Sequence, residues 1–295
     1  MQCHISLERS TRKCQANVLK CNLTEKHFEA AIAKSMSFFE LERITAHTFI
    51  ECVEYHATLE STNTLAVTLR NVLHKRCPAL VLTDQQTAGR GRGSHSWWSA
   101  PGALTCSVVL DADQHGPVPE SRSLVALAAG LAVRALVADL VPKHTVSTKW
   151  PNDILIADQK VCGILSEQHS TDFGSVLIIG IGLNLNNSLA TAPDDIRQQA
   201  TSIFDRTGHS FDLTETLNLL LNLLSRTLHQ LKRNPAEIAR ESAEFNRLTG
   251  KQITVQTPTE TLVGECTGIA ADGALLLNAG GTIREIRTAT VLEFI

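Results

Sequence analysis

From residue 51 onward, short apolar runs alternate with longer segments that place an apolar residue every three to four positions, the pattern of strands exchanged with helices. Strands are predicted at 51–56 and 79–83. Between them a helix opens at Ser61-Thr62-Asn63, residue types suited to an N-cap, and keeps Leu65, Leu69, Val72 and Leu73 on one face. A glycine-rich stretch at 89–102 leads into an apolar strand at 104–110 and an alanine- and leucine-rich helix at 122–140. Four more strands follow at 147–150, 154–156, 161–167 and 175–185, the middle pair joined by a tight turn at Asp158-Gln159. Helices at 212–232 and 236–247 close this part. From Gly250 the texture changes to five short alternating runs, separated by turn signals at Thr257-Pro258, Asp272-Gly273 and Gly280-Gly281, as expected of a small all-β barrel.

The change of texture divides the chain into an extension of unknown role at 1–45, a main domain at 46–247 and a C-terminal β domain at 248–295. The extension shows only a loose amphipathic pattern from Leu23 to Leu41. With 43% hydrophobic and 19% charged residues, the composition excludes disordered, collagenous and coiled-coil classes. A net charge of -3 offers no global attraction to nucleic acid or to an anionic membrane, so neither is an expected partner and any basic site has to be local. The eight cysteines form no C-x-x-C pair and no zinc spacing, and read as thiols of a reducing compartment. The longest apolar stretch, 176–185, is interrupted by Gly180, Gly182 and Asn184, and the N-terminus has no apolar leader core. A cytoplasmic location is therefore expected.

Four strings carry candidate chemistry. In Gln86-Thr87-Ala88-Gly89-Arg90-Gly91-Arg92-Gly93, glycines let backbone N–H groups approach an anion while arginines supply forked donors for carboxylate or phosphate. The string matches neither the P-loop nor the dinucleotide fingerprint, and by itself it is equally a solvated loop. In Lys149-Trp150-Pro151-Asn152-Asp153, followed by Lys160 and Gly163, two lysines, an asparagine and an aspartate share one hairpin and can orient a polyphosphate with its magnesium; a plain Pro-Asn-Asp turn is the alternative. Ser61-Thr62-Asn63 caps a helix or binds a neutral polar head group. Gly180-Ile181-Gly182-Leu183-Asn184-Leu185-Asn186 allows close backbone approach, or simply marks a sheet edge.

In this order the strings S-T-N, Q-T-A-G-R-G-R, K-W-P-N-D with a following lysine and G-I-L, and G-x-G-x-N-x-N resemble the biotin protein ligases. The resemblance spans residues 50–190 by motif and extends to the C-terminal β domain, where D-G-A-L-L-L at 272–277 is similar to that family's terminal domain. It implies an α/β (α+β) fold, with a mixed central β-sheet and flanking helices like the catalytic domains of class II aminoacyl-tRNA synthetases, followed by a small SH3-like β-barrel. The implied activity is ATP-dependent attachment of biotin to one lysine of a biotin carboxyl carrier protein, such as that of acetyl-CoA carboxylase, through a biotinyl-5'-adenylate. Magnesium accompanies ATP, the protein alone forms no metal site, and the enzyme is a monomer or a homodimer.

The resemblance also implies roles. Ser61, Thr62, Asn63 and Gln86 lie around biotin's ureido ring, Arg90, Gly91 and Arg92 hold biotin and the adenylate, and Lys160, with Gly163 beside it, reaches the carboxylate or acyl phosphate. Arg92, Trp97, Lys149, Asn152, Asp153 and Asn184 fall on the nucleotide side. Arg92 and Lys160 are the catalytic candidates. Physical chemistry agrees with these residue types, because joining a carboxylate to the α-phosphate of ATP brings two anions together and demands positioned cations. The product is a water-sensitive mixed anhydride, so a glycine loop bearing Trp97 and Trp98 suits a lid over it. One departure stands out: many relatives continue the loop with R-G-R, whereas Gly93-Ser94-His95-Ser96 precedes Trp97 here, and His95 takes an arginine's place. Residues 1–45 are short for the winged helix-turn-helix of family members that act as repressors. Two rival readings are a lipoate or octanoate protein ligase of the same fold, which lacks the G-R-G-R and K-W-P-N-D strings, and a non-catalytic biotin-sensing regulator.

Overall fold

The computed structural model describes residues 38–294; the sequence readings for the segment before Phe38 lie outside the described residues. Helix α1 (Leu41–His47) leads into strand β1 (Cys52–Leu59), helices α2 (Thr62–Thr68) and α3 (Arg70–His74), and strand β2 (Ala79–Gln86). A two-residue hairpin, β3 (Gly89–Arg90) and β4 (Ser96–Trp97), precedes β5 (Leu104–Asp111) and α4 (Val125–Leu140). A meander of β6 (Val146–Lys149), β7 (Asp153–Ile156), β8 (Gln159–Thr171) and β9 (Gly174–Leu183) follows, then helices α5 (Asp194–Gln199), α6 (Ile203–Thr207), α7 (Leu213–Arg233) and α8 (Pro235–Phe245). The central sheet runs β1-β2-β5-β9-β8-β7-β6, with β1 and β2 parallel and every other neighbour antiparallel, so it is mixed as expected.

Period-two alternation gives this sheet two unlike faces. Leu80, Leu82, Val108, Leu110, Ile179 and Ile181 point into the main core, beneath α4, α7 and α8. Helix α7 supplies Leu217, Leu220, Leu221, Leu224, Leu228 and Leu231 at helical spacing, and its start is capped by Asp212, whose carboxylate accepts the Glu215 N–H at 2.7 Å. The stretch Pro119–Leu140 is long and apolar enough to cross a membrane, but most of it is buried in this core. On the opposite face Ala79, Val81, Val109, Val176 and Ile178 form a smaller cluster beneath Ala66 of α2 and Leu73 of α3.

Strands β10 (Gln252–Gln256), β11 (Thr261–Ile269), β12 (Leu275–Ala279), β13 (Thr282–Ile286) and β14 (Thr290–Phe294) form a separate antiparallel sheet in the order β13-β12-β11-β10-β14. Their buried side chains, among them Ile253, Val255, Leu262, Leu275 and Leu277, are continuous with the main core. Trp150, 3% exposed, ties this sheet to the meander by donating its indole N–H to the Gly273 carbonyl at 3.0 Å. The tight turn of the β7–β8 hairpin is centred on Ala157 and Asp158, both at positive φ, one residue earlier than the sequence predicts. Helices α5 and α6 have no counterpart in the sequence reading, and α5 buries none of its residues, so no apolar period announces it.

Candidate functional site

A cavity of about 280 Å³ opens where the α2 side of β9 changes from Val176 and Ile178 to Gly180 and Gly182. Its size is near the lower end for small-molecule sites, roughly 300–1,000 Å³. The glycines are required by close approach rather than by backbone conformation. A Cβ on Gly180 would collide with the Asn63 side-chain amide, and one on Gly182 would lie 2.5 Å from the Trp97 indole. Strand β9 is internal, between β5 and β8, which replaces the sheet-edge alternative for these glycines.

One end of the cavity is polar and hydrogen-bonded within itself. Ser61 is the N-cap of α2, its hydroxyl accepting the Thr64 N–H at 3.4 Å, and it also lines the cavity, so capping and cavity wall coincide in one residue. The Thr62 backbone N–H and hydroxyl donate to Gln86 Oε1 at 2.7 and 3.2 Å. Asn63 donates its Nδ2 hydrogens to Glu167 Oε2 at 2.8 Å and to the Leu165 carbonyl at 3.2 Å. The Ser107 hydroxyl donates to Asn63 Oδ1 at 2.6 Å and lies 2.8 Å from Thr62 Oγ1. Ser61, Thr62, Asn63, Gln86 and Ser107 are all buried. Buried polar groups are costly unless paired, and here they are paired with one another.

The other end is cationic. Lys149 closes β6, Asn152 precedes β7 and Asp153 opens it, and Lys160 is the second residue of β8, so three adjacent strands bring these side chains together. Lys160 Nζ is 2.6 Å from Asp153 Oδ1 and 5.8 Å from the centre of the Trp97 ring. Burial pushes Lys149 below the usual lysine value, against the pull of Asp153 and with the help of Lys160. Its ammonium sits 5.2 Å from the Phe294 ring centre. Asn152 fastens the hairpin, donating Nδ2 to the Ile164 carbonyl at 2.7 Å, while its own carbonyl accepts the Ile164 N–H at 2.9 Å.

The β3–β4 hairpin forms the third wall. Its loop is closed by Gly91 N–H to His95 O at 2.8 Å and His95 N–H to Arg92 O at 3.1 Å. Arg90 forks onto Glu167, Nη2 to Oε1 at 2.8 Å. Arg92 donates Nη1 to the Ala289 carbonyl at 3.3 Å, and burial lowers its pKa from the ordinary arginine value, against the pull of Asp153. Exposed His95 also lines the cavity. Ala289, Thr290 and Val291 carry the C-terminal sheet to the cavity's edge. Gly163 fits tightly, since a Cβ there would lie 3.2 Å from Lys160 Cε and 3.4 Å from the Trp97 ring.

Thirteen of the fourteen residues singled out in the sequence therefore share one cavity: Ser61, Thr62, Asn63, Gln86, Arg90, Gly91, Arg92, Trp97, Lys149, Asn152, Asp153, Lys160 and Gly163. Asn184 is not part of the lining. It is buried, its Nδ2 donating to the Thr201 carbonyl at 3.2 Å and its Oδ1 accepting from Asn187 at 3.1 Å, so it holds the chain after β9. Sequence reasoning missed Thr105, Ser107, Glu167, Gln199 and the segment Ala289, Thr290 and Val291. For Glu167 a signal existed, because period-two alternation from Gly163 through Leu165 puts it on the same face of β8. Among the described residues no group of three or more His, Cys, Asp or Glu side chains is placed to hold a metal ion. Of the four cationic side chains in the lining, Arg90 is paired with Glu167 and Lys160 with Asp153, and the excess of Arg92 and Lys149 makes the cavity suited to anions, with a neutral polar recess at its other end.

Residues 55–184 match the biotin/lipoate A/B protein ligase family, and residues 248–292 match the biotin protein ligase C terminal domain. The chain is 32% identical over 244 residues to the bifunctional ligase/repressor BirA of Bacillus subtilis, a match covering 80% of this chain and 72% of that one. It is 33% identical over 243 residues to the biotin--[acetyl-CoA-carboxylase] ligase of Paracoccus denitrificans, covering 80% of this chain and 98% of that one. Among solved structures, the biotin protein ligase from Aquifex aeolicus in complex with biotin and ATP superimposes with a TM-score of 0.69 at 26% identity, over 83% of this chain and 98% of that chain.

Proposed function

The chain belongs to the biotin protein ligase family, and from that premise we propose that its cavity joins biotin to ATP and passes the biotinyl group to a lysine of a biotin carboxyl carrier domain. One observation carries the reading: a neutral, internally hydrogen-bonded recess and a cluster of Arg92, Lys149 and Lys160 face each other across a single glycine-floored cavity. Biotin has the matching asymmetry, a neutral ureido ring at one end and a carboxylate at the other. Residues 46–247 are then the catalytic domain, and 248–295 the terminal domain that closes the nucleotide side.

In the first step a biotin carboxylate oxygen attacks the α-phosphorus of ATP and pyrophosphate leaves. Ser61, Thr62, Asn63 and Gln86 hold the ureido end, while Arg90, Gly91 and Arg92 hold the chain and the adenylate. Lys160, held at the cavity by Asp153, faces the charge that develops on the reacting oxygens; such a preorganised cation acts without reorganisation at the moment of reaction. Lys149 and Trp97 serve the nucleotide side, and Asn184 serves it through the loop it fixes. Magnesium brought in with ATP finds oxygen donors of the kind it takes in Asp153 and Asn152, and would neutralise phosphate charge there. In the second step the carrier's lysine amine attacks the acyl carbon and AMP leaves, so no protein nucleophile is needed.

The match of residues 248–292 to the biotin protein ligase terminal domain favours biotin over lipoate or octanoate. A cytoplasmic enzyme, monomeric or homodimeric, completes the reading. Mass spectrometry of a biotin carboxyl carrier domain after incubation with this protein, ATP, magnesium and biotin tests it. One biotinyl increment on one lysine is expected, and an unchanged mass, or an equal increment with lipoate, defeats the proposal.

A further inference from the structure

Resting on that reading of the cavity, we propose that Glu167 is a positioning residue for biotin. It acts from behind the wall by fixing Asn63 and Arg90 in one arrangement before substrate arrives. Glu167 does not line the cavity. It stands on β8 opposite Ile178, two residues beyond Leu165, which does line it. Its two carboxylate oxygens gather groups 77 and 104 positions distant in the chain: Oε1 accepts Arg90 Nη2 at 2.8 Å, and Oε2 accepts Asn63 Nδ2 at 2.8 Å and Arg90 Nη1 at 3.4 Å.

The first consequence concerns the Asn63 amide. An amide has a donor and an acceptor end of nearly equal size, and its surroundings decide which points where. Glu167 and the Leu165 carbonyl, both acceptors, take the Nδ2 end, which leaves Oδ1 for the Ser107 hydroxyl. Reversing the amide would set Oδ1 against a carboxylate. The polarity of the whole Thr62–Asn63–Ser107 wall therefore depends on a charge that biotin does not touch. The second consequence concerns the loop. Arg90 is the base of the β3–β4 hairpin, and its pairing with Glu167 moors that hairpin to the sheet while leaving three of the five guanidinium donors for other partners. The pair is partly solvated, Arg90 at 44% and Glu167 at 20% side-chain exposure, so its effect is bounded.

The test compares Glu167→Gln, which keeps an oxygen acceptor for Asn63 but loses the charge, with Glu167→Ala, which loses both. Biotin-dependent pyrophosphate release gives KM for biotin, KM for ATP and kcat; tryptic cleavage after Arg90 and Arg92 in the ligand-free protein reports the mooring. The expected result is a graded rise in biotin KM, about five-fold for Gln and about thirty-fold for Ala, as loss of a charged hydrogen bond implies. KM for ATP and kcat should stay within about two-fold, and loop cleavage should quicken several-fold in both variants. Biotin KM within about two-fold of the unaltered protein in both variants, or equal rises for biotin and ATP, overturns the proposal. Should Glu167→Ala fail to fold, Glu167→Gln decides by the same criteria. Absence of pyrophosphate release from the unaltered protein would instead defeat the proposed function, and the cleavage rates, which need no substrate, would still decide the mooring.

Discussion

On the face of the central sheet that α2 and α3 cover, the same strands are packed shut at one end and open at the other. At the closed end Val176 and Ile178 of β9 lie with Val109 and Val81 under Ala66 and Leu73. Buried His74 pins the strand ends there, its Nε2 2.9 Å from Asp111 Oδ2 and its Nδ1 2.5 Å from Thr171 Oγ1. Two residues further along β9 the same face reads Gly180 and Gly182, and their cross-strand neighbours are Ser107 and Leu165 for the first and Thr105 and Gly163 for the second. Apolar side chains fill the closed end, whereas at the open end backbone is bared, and Asn63 and Trp97 lean on it. Stability and recognition are thus separated along a single strand, by deletion of side chains rather than by a change of fold.

The largest expected effect falls at the open end. Lys160→Ala should lower adenylate formation by about 10²–10³-fold, the range for removing one preorganised charge-stabilising group. Thermal unfolding should change little, since the side chain is one-third exposed and its one ion pair lies in the cavity rather than the core. Near wild-type pyrophosphate release from this variant would remove Lys160 from the chemistry.

A pair of substitutions two residues apart on β9 tests the comparison itself. Gly180→Ala drives a methyl into the buried, hydrogen-bonded Asn63 amide, so biotin KM should rise by about ten-fold with a smaller loss of stability, about 1–2 kcal/mol. Ile178→Ala should do the reverse, costing about 2–5 kcal/mol in denaturant unfolding with biotin KM unchanged. If both variants lose stability alike and neither alters KM, the open and closed ends are one packed face.

The difference between the ends also governs what could be read from the chain. Strands such as β5 and β9 were legible because apolar runs bounded by turn residues have few other solutions. The four strings converge on one cavity because each is local and lies at a strand end. Strand β8 runs on to Thr171, four residues past its predicted end, through exposed Gln168 and Ser170, which owe their order to pairing with β9 rather than to any pattern of their own. Ala289, Thr290 and Val291 reach the site through the packing of the C-terminal sheet, and three small apolar or hydroxyl residues carry no chemical signature. For Asn184 the composition of its string was visible but not the direction of the side chain, which tertiary hydrogen bonds to Thr201 and Asn187 decide.

Smaller effects sharpen the contrast. Arg92→Gly removes the donor to the Ala289 carbonyl and should let adenylate escape, so that lysines of an added bystander protein are biotinylated; labelling confined to the carrier would refute that role. At the closed end, burial works against ionisation of Asp111, but the Gln114 N–H, His74 and the Asp113 N–H outweigh it and hold the carboxyl below its ordinary value. A depressed carboxylate contributes stability above its unfolded value, about 3.9, and that stability is lost as pH falls through the lower folded value. Urea midpoints between about pH 6 and pH 3 should therefore fall less steeply for Asp111→Asn than for the unaltered protein, with biotin KM near neutrality the same in both.

The smallest expected effect is a redistribution of amide protection within the glycine loop. Three glycines in five residues lead the sequence to predict that all of 89–102 is mobile until ligand binds. The structure moors both arms: Arg90 is paired with Glu167, and Trp97 packs over Gly163 and Gly182 with its strand bonded to Gly89. The tip between them is held more lightly, by its own Gly91–His95 and His95–Arg92 backbone bonds and one Arg92 bond to the Ala289 carbonyl, with Gly93 at positive φ and nothing near the place of a Cβ. Ordering that tip costs roughly 1–2 kcal/mol per residue, so ligand contacts from Arg92 and its neighbours have to supply it. Amide exchange measured with and without biotin and a non-hydrolysable ATP analogue should show residues 92–95 gaining protection on binding, while Trp97 is protected in both states. Equal exchange of 92–95 in the two states would mean that the adenylate is shielded by another segment, and a gain spread over all of 89–102 would mean that the moorings do not hold without ligand.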